Sequence, residues 1–172
     1  MRTPVELRPY DADWEQSAAR EAERVREALG AEAVEHVGST AVPGLEAKPI
    51  VDVLAGLRSL DLPRDRLDAM ERLGYEFLGE HGLPGRLYSR KGSPRSHHVH
   101  AVEPGGAHWI RHLALRDYLR ADGDEARRYA GEKRRAASLA GGDWDAYCEG
   151  KAAYVEALER RALTWREREA RP

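Results

Sequence analysis

Asparagine is absent from this sequence, glutamine occurs once (Gln16), isoleucine twice (Ile50 and Ile110) and cysteine once, at Cys148. A lone cysteine excludes an internal disulfide and fits a reducing cytoplasm, where Cys148 reads as a small half-buried residue rather than a nucleophile. No apolar run approaches the ~20 residues of a membrane span. The opening MRTPVELRPY has none of the apolar stretch of a signal peptide, which also points to the cytoplasm. A net charge of −2 provides no global field toward nucleic acid or an acidic membrane, so neither is expected as a partner. The scarcity of amides and isoleucine fits either a GC-rich genome or a thermophile that avoids labile side chains.

Lysine is scarce too. Of 28 basic residues only Lys48, Lys91, Lys133 and Lys151 are lysine, and the rest are arginine. Where arginine is the default cation, a lysine marks a place for a compact point charge on a slim stem, used against phosphates where a planar fork does not fit. Stray lysines without meaning are the alternative.

At 172 residues the chain matches one domain with a full core. Val5 to Pro9 reads as a short strand. Asp11 or Asp13 can cap a helix to about Leu29, closed by Gly30. Strands are expected at Ala33–Val37 and Pro49–Leu54. A helix follows in DLPRDRLDAMERLG, with Pro63 at its start and Gly74 past its end. Tyr75 to Leu78 is a strand, GEHGLPG a loop, and RLYSRK and SHHVHAVE the arms of a hairpin. After Pro104 the pattern turns helical, with helices predicted from about Ala107 to Ala121, Asp124 to Leu139 and Trp144 to Arg166. The sequence therefore predicts an α/β core over about residues 1–106, a mixed sheet flanked by helices, and a helical part over about 107–167, all within one domain spanning 1–172.

The stretch HVGSTAVPGLEAKPIVD, His36 to Asp52, concentrates the chemistry. A loop of small residues (Gly38, Ser39, Thr40, Ala41, Gly44) leads into an apolar strand broken by one carboxylate, Asp52. An ionised acid in a buried strand is costly unless it is paired or binds a metal. Glycine and serine just after a strand let backbone N–H groups approach an anion. Together they suggest phosphate and metal chemistry; a tight turn with Asp52 salt-bridged to an arginine is the plainer reading. In the later strand His98 and His100 point to one face, and His97 and Glu103 to the other. Two histidines two apart can share a metal such as zinc, or hydrogen-bond a phosphate or a ribose hydroxyl. Arg86, Tyr88 and Arg90 share a face of the neighbouring strand, so register decides which arginine joins the histidines. His112 and Arg116 are four apart on a helix, with Arg116 able to reach a phosphate or to tie its helix to the sheet. Tyr129 and Lys133, and again Tyr147 and Lys151, repeat a tyrosine–lysine spacing of four.

These motifs resemble the GrpB family, whose members carry a segment close to HIGSTSVPGLAAKPIIDI, a comparable HHVH run, a W-x-RHL-x-x-RDYL element and Y-x-x-x-K twice. That family is similar to the nucleotidyltransferase superfamily, and a like module occurs fused to some dephospho-CoA kinases. The resemblance implies a nucleoside triphosphate held by Gly38, Ser39, Thr40, Lys48, Arg86, Arg90, Lys133 and Lys151, with Mg²⁺ on Asp52 as catalytic carboxylate. A nucleotidyl group would pass to an unknown small acceptor near His98, His100, His112 and Arg116. The pattern departs at Leu54, where nucleotidyltransferases carry a second carboxylate. Either histidines replace acids, giving a His/Asp metal-dependent hydrolase, or the chain binds nucleotides or phosphometabolites without transferring them.

Overall fold

The computed structural model describes residues 5–171; the first four residues and Pro172, part of the predicted domain span, lie outside them. Helix α1 (Asp13–Leu29) buries Trp14, Ala18, Val25 and Leu29 along one stripe, and Gly30 ends it in the left-handed conformation. Its start is steadied by Asp11, whose carboxylate accepts from the Asp13 N–H at 2.9 Å. Val5 to Pro9 is not a strand: only Arg8 pairs, with Ala47, through two backbone bonds of 2.8 and 3.0 Å. Pro9 lacks an N–H and stops the ladder there.

Strands β1 (Ala33–Val37), β2 (Val51–Gly56), β3 (Tyr75–Phe77), β4 (Arg86–Lys91) and β5 (His97–Val102) form one mixed sheet in the order β1-β2-β5-β4-β3. Only β2 and β5 run parallel. The second strand begins two residues later than the apolar run suggests, because Pro49 cannot donate and the Ile50 N–H turns back to Lys48 O at 2.7 Å. Helix α2 (Arg64–Arg72) lies between β2 and β3, and α3 (Ala107–Ala121), α4 (Gly123–Ala140) and α5 (Trp144–Glu169) complete the chain.

One sheet face, with Val51, Val53, Ala55, Val99 and Ala101, packs against α1 and Met70 of α2. On the other face Val37, Leu54 and Val102 meet Leu113 and Trp109 of α3. The last three helices then close around Leu158, which packs with Val42, Leu45, Leu119 and Tyr129. The loop after β1 is thus held between sheet and helices. Among the described residues, no helix is long and apolar enough to cross a membrane.

Candidate functional site

Register builds the site. Asp52 lies beside His98, and Leu54 beside His100, in the parallel β2–β5 pair, while Tyr88 and Arg90 of β4 face His100 and His98 from the other side. Asp52, His98, His100, Tyr88 and Arg90 therefore share one sheet face. The Asp52 carboxylate accepts from His100 Nε2 at 3.0 Å and stands 3.3 Å from His98 Nδ1. Burial alone would raise this carboxyl, but the hydrogen bonds from His100 and His98 outweigh it and hold it below the ordinary carboxylate range. Tyr88 touches both rings, with centroids 5.3 and 5.5 Å away. Its phenol is pushed up to about 12 by burial and by the Asp52 charge.

The turn after β1 closes over Asp52. Gly38 has φ 75° and ψ −173°, and a Cβ there would lie 2.8 Å from Asp52 Oδ2, so only glycine lets the carboxylate tuck beneath the backbone. Thr40 is anchored by a 2.9 Å bond between its hydroxyl and His36 Nε2. Burial lowers His36 to about 4, which keeps that ring neutral.

A cavity of about 220 Å³ opens from Asp52 and His98 toward the helices. Ser39 and Thr40 line one wall, and Lys48, Lys133 and Lys151 the others, with Tyr129, Trp144 and Tyr147 beside them. Each of these ammonium groups lies over a ring: Lys48 3.7 Å from the centroid of Trp144, Lys133 4.8 Å from Tyr129 and Lys151 5.2 Å from Tyr147. Lys133 is 2 % exposed, its ammonium donating to the Glu46 carbonyl. Burial, with the Lys151 charge nearby, pushes it down to about 7. Lys48 is lowered as well, by burial. The described cavity wall holds three lysines and a single carboxylate, a lining built to receive negative charge.

Other residues singled out in the sequence are engaged outside this cavity. Arg90 pairs with Glu76 at 2.6 Å, and Arg86 donates to the carbonyls of Glu80 and His81. Arg116 bridges α3 to β1, bonding Glu35 at 2.8 Å and the His36 carbonyl at 3.2 Å. Lys91 is paired with the buried Glu21 at 2.5 Å on the opposite sheet face. His112 lies on the His100 ring, centroids 5.1 Å apart, and burial lowers it to about 3. Leu54 is fully buried, and the cluster with metal-ligand spacing among the described residues is Asp52, His98 and His100, whose donor atoms lie within 4.8 Å of one another. Two residues escaped the sequence reading. Tyr88 reads in the sequence only as a face-mate of two arginines and Trp144 only as a helix start; a ring brought over Lys48 from a distant helix leaves no mark in spacing.

Comparison with known proteins places the chain. The GrpB protein family model matches residues 4–161, and the chain belongs to the GrpB family. It is 37 % identical to the UPF0157 protein YqkA of Bacillus subtilis over 94 % of its own length, but spans only 48 % of YqkA. A UPF0157 protein of Pseudomonas aeruginosa is 41 % identical, with 92 % of this chain and 68 % of that one covered. A dephospho-CoA kinase of Mycolicibacterium paratuberculosis is 32 % identical over 95 % of this chain and 47 % of its own. Among solved structures, the conserved protein GrpB from Enterococcus faecalis superposes with a TM-score of 0.83 at 36 % identity, covering 92 % of this chain and 98 % of that one.

Proposed function

We propose that this chain binds a phosphorylated small molecule, with a nucleoside triphosphate as the leading candidate, and carries out metal-assisted phosphoester chemistry on it. The observation that carries the reading is the convergence of Lys48, Lys133 and Lys151 on one cavity whose floor is Asp52. Ammonium groups held over aromatic rings are partly desolvated point charges, suited to phosphate oxygens. Ser39 and Thr40 offer hydroxyls on the same wall. The likeness to a dephospho-CoA kinase speaks for the same class of ligand.

Asp52, with its neighbours His98 and His100, would hold a divalent ion, which supplies Lewis-acid polarisation of a phosphoryl oxygen. The lysines would bind and orient the phosphates. Nucleotidyl transfer to a small acceptor is the form of this chemistry that fits the superfamily resemblance. Hydrolysis is the second reading, favoured by one observation: two imidazoles stand beside Asp52, and Leu54 fills the place of a second carboxylate.

The test is a calorimetric and thermal-shift titration of the full chain with ATP, other nucleoside triphosphates and pyrophosphate. A ligand present at ~100 times its Kd should add about 2.7 kcal/mol of stability. Lys133→Met/Lys151→Met should lose that shift while keeping the fold. A panel without any shift, or a double variant that binds as the parent does, overturns the reading.

A further inference from the structure

The geometry points to a transition-metal site of two imidazoles and one carboxylate at Asp52, His98 and His100, selective for ions of the zinc, cobalt or nickel kind over Mg²⁺, with His112 as the outer partner that orients His100. This rests on the metal-assisted reading above and deepens it by naming the metal, and a titration with metal alone tests it apart from the lysine cavity.

The donor set comes first. Mg²⁺ demands oxygen ligands and keeps several waters, whereas imidazole nitrogen suits zinc, cobalt and their neighbours. Here two of three donors are nitrogen, and they lie within 4.8 Å of one another without any rearrangement of the sheet. Strand register imposes this closeness: Asp52 and His98 are direct neighbours across β2–β5, and His100 follows two residues on along the same face. Asp52 and His98 both line the lysine cavity, so coordination positions left open by the protein face the space assigned to phosphates.

The second observation is independent. Two buried ring nitrogens, His100 Nδ1 and His112 Nε2, find no hydrogen-bond partner in the protein. Such orphans are costly and call for an explanation. They belong to adjacent rings with centroids 5.1 Å apart and planes tilted by 38°. His100 turns its Nε2 toward Asp52. A metal on that nitrogen leaves the proton of the neutral ring on Nδ1, and a metal-bound histidine hands that proton to an outer acceptor. His112 Nε2 is the acceptor at hand, an unpartnered nitrogen on the ring packed beside His100. The orphaned nitrogens are thereby accounted for together: each is the other's partner in the loaded site.

The experiment uses the full chain after treatment with a chelator, and metal alone as the probe. Calorimetry should give one equivalent of Zn²⁺ bound at least a hundredfold more tightly than Mg²⁺, and Co²⁺ should develop the visible absorption of a nitrogen-ligated ion. Asp52→Asn and His98→Ala should abolish both signals. His112→Phe keeps a ring over His100 but removes the acceptor, and should weaken Zn²⁺ ten- to a hundredfold with an unchanged circular dichroism spectrum. His112→Leu serves the same arm should the larger ring disturb α3, and His112→Gln, which restores an acceptor, should recover most of the affinity. Equal affinity for Mg²⁺ and Zn²⁺, or no binding of either, overturns the metal class. Parental Zn²⁺ affinity in His112→Phe or His112→Leu overturns the orienting role. A chain that binds Zn²⁺ but no nucleotide keeps this inference and removes the phosphate reading.

Discussion

At Gly38 one hydrogen decides whether Asp52 fits. With φ 75° and ψ −173°, its backbone lies in a region open essentially to glycine alone, and an added Cβ would sit 2.8 Å from Asp52 Oδ2. Gly38→Ala should therefore cost about 1–3 kcal/mol in urea unfolding and weaken any ligand of Asp52. A variant as stable as the parent would mean that the carboxylate is free to move. Lys133 gives a second prediction, through pH. Its ammonium is held at about 7, below the 10.5 of a free lysine, by burial and by the Lys151 charge. Between those values the unfolded chain binds a proton that the folded one has released, so stability rises with pH over that window. Below pH 7 both states are protonated and the full cost of burial remains. The parent should thus gain on the order of 2 kcal/mol relative to Lys133→Met between pH 7 and pH 9, read from urea unfolding at each pH. A flat difference would show that the charge is solvated.

At the scale of elements, the sequence reveals periodicity far better than pairing. Helix α1 was legible from its apolar stripe and Gly30, and the hairpin of β4 and β5 from alternation. The pattern of Val5 to Pro9 predicts a strand, yet it says nothing about the missing Pro9 donor or the single Arg8 partner at Ala47. The site was legible only in part for the same reason. His98, His100 and Asp52 could be suspected from type and spacing, but their meeting depends on a parallel β2–β5 register joined through 40 intervening residues. Lys133 and Lys151 stood out by rarity; that Arg90 turns to Glu76 and Arg116 to Glu35 follows from neighbours no local pattern names. Arg116 is the bolt between α3 and β1, 12 % exposed in its side chain and held by Glu35, Asp117 and the His36 carbonyl. Arg116→Ala strands those acceptors and should lower stability by about 1–3 kcal/mol in urea unfolding, with an unchanged m-value. Parental stability would mean that the apolar contacts of Leu113 and Trp109 alone hold α3 to the sheet.

The sheet lies between two sets of helices, and the cavity opens where its second face meets the C-terminal helices. One core joins α1 and α2 to the sheet; the other gathers the last three helices around Leu158 and the loop residues Val42 and Leu45. Asp52 and His98 belong to the sheet, whereas Lys133 and Lys151 belong to the helices, so the distance between the Asp52–His98 pair and the lysines is set by how the second core packs. Leu158 is fully buried there and touches the cluster that holds Tyr129, the ring beneath Lys133. Val25 is equally buried, but in the first core and not the second. Both Leu158→Ala and Val25→Ala leave cavities, and the leucine truncation should cost about 2–5 kcal/mol. Their effects on binding should differ. Measured well below both unfolding midpoints, Leu158→Ala should weaken ATP severalfold, because the lysine wall loses its backing, whereas Val25→Ala should bind as the parent does. Zn²⁺ affinity, which rests on three sheet residues and His112 of α3 and not on the lysine wall, should be unchanged in both. Equal losses of ATP affinity in the two variants would show that the site responds to overall stability and not to the packing of the second core.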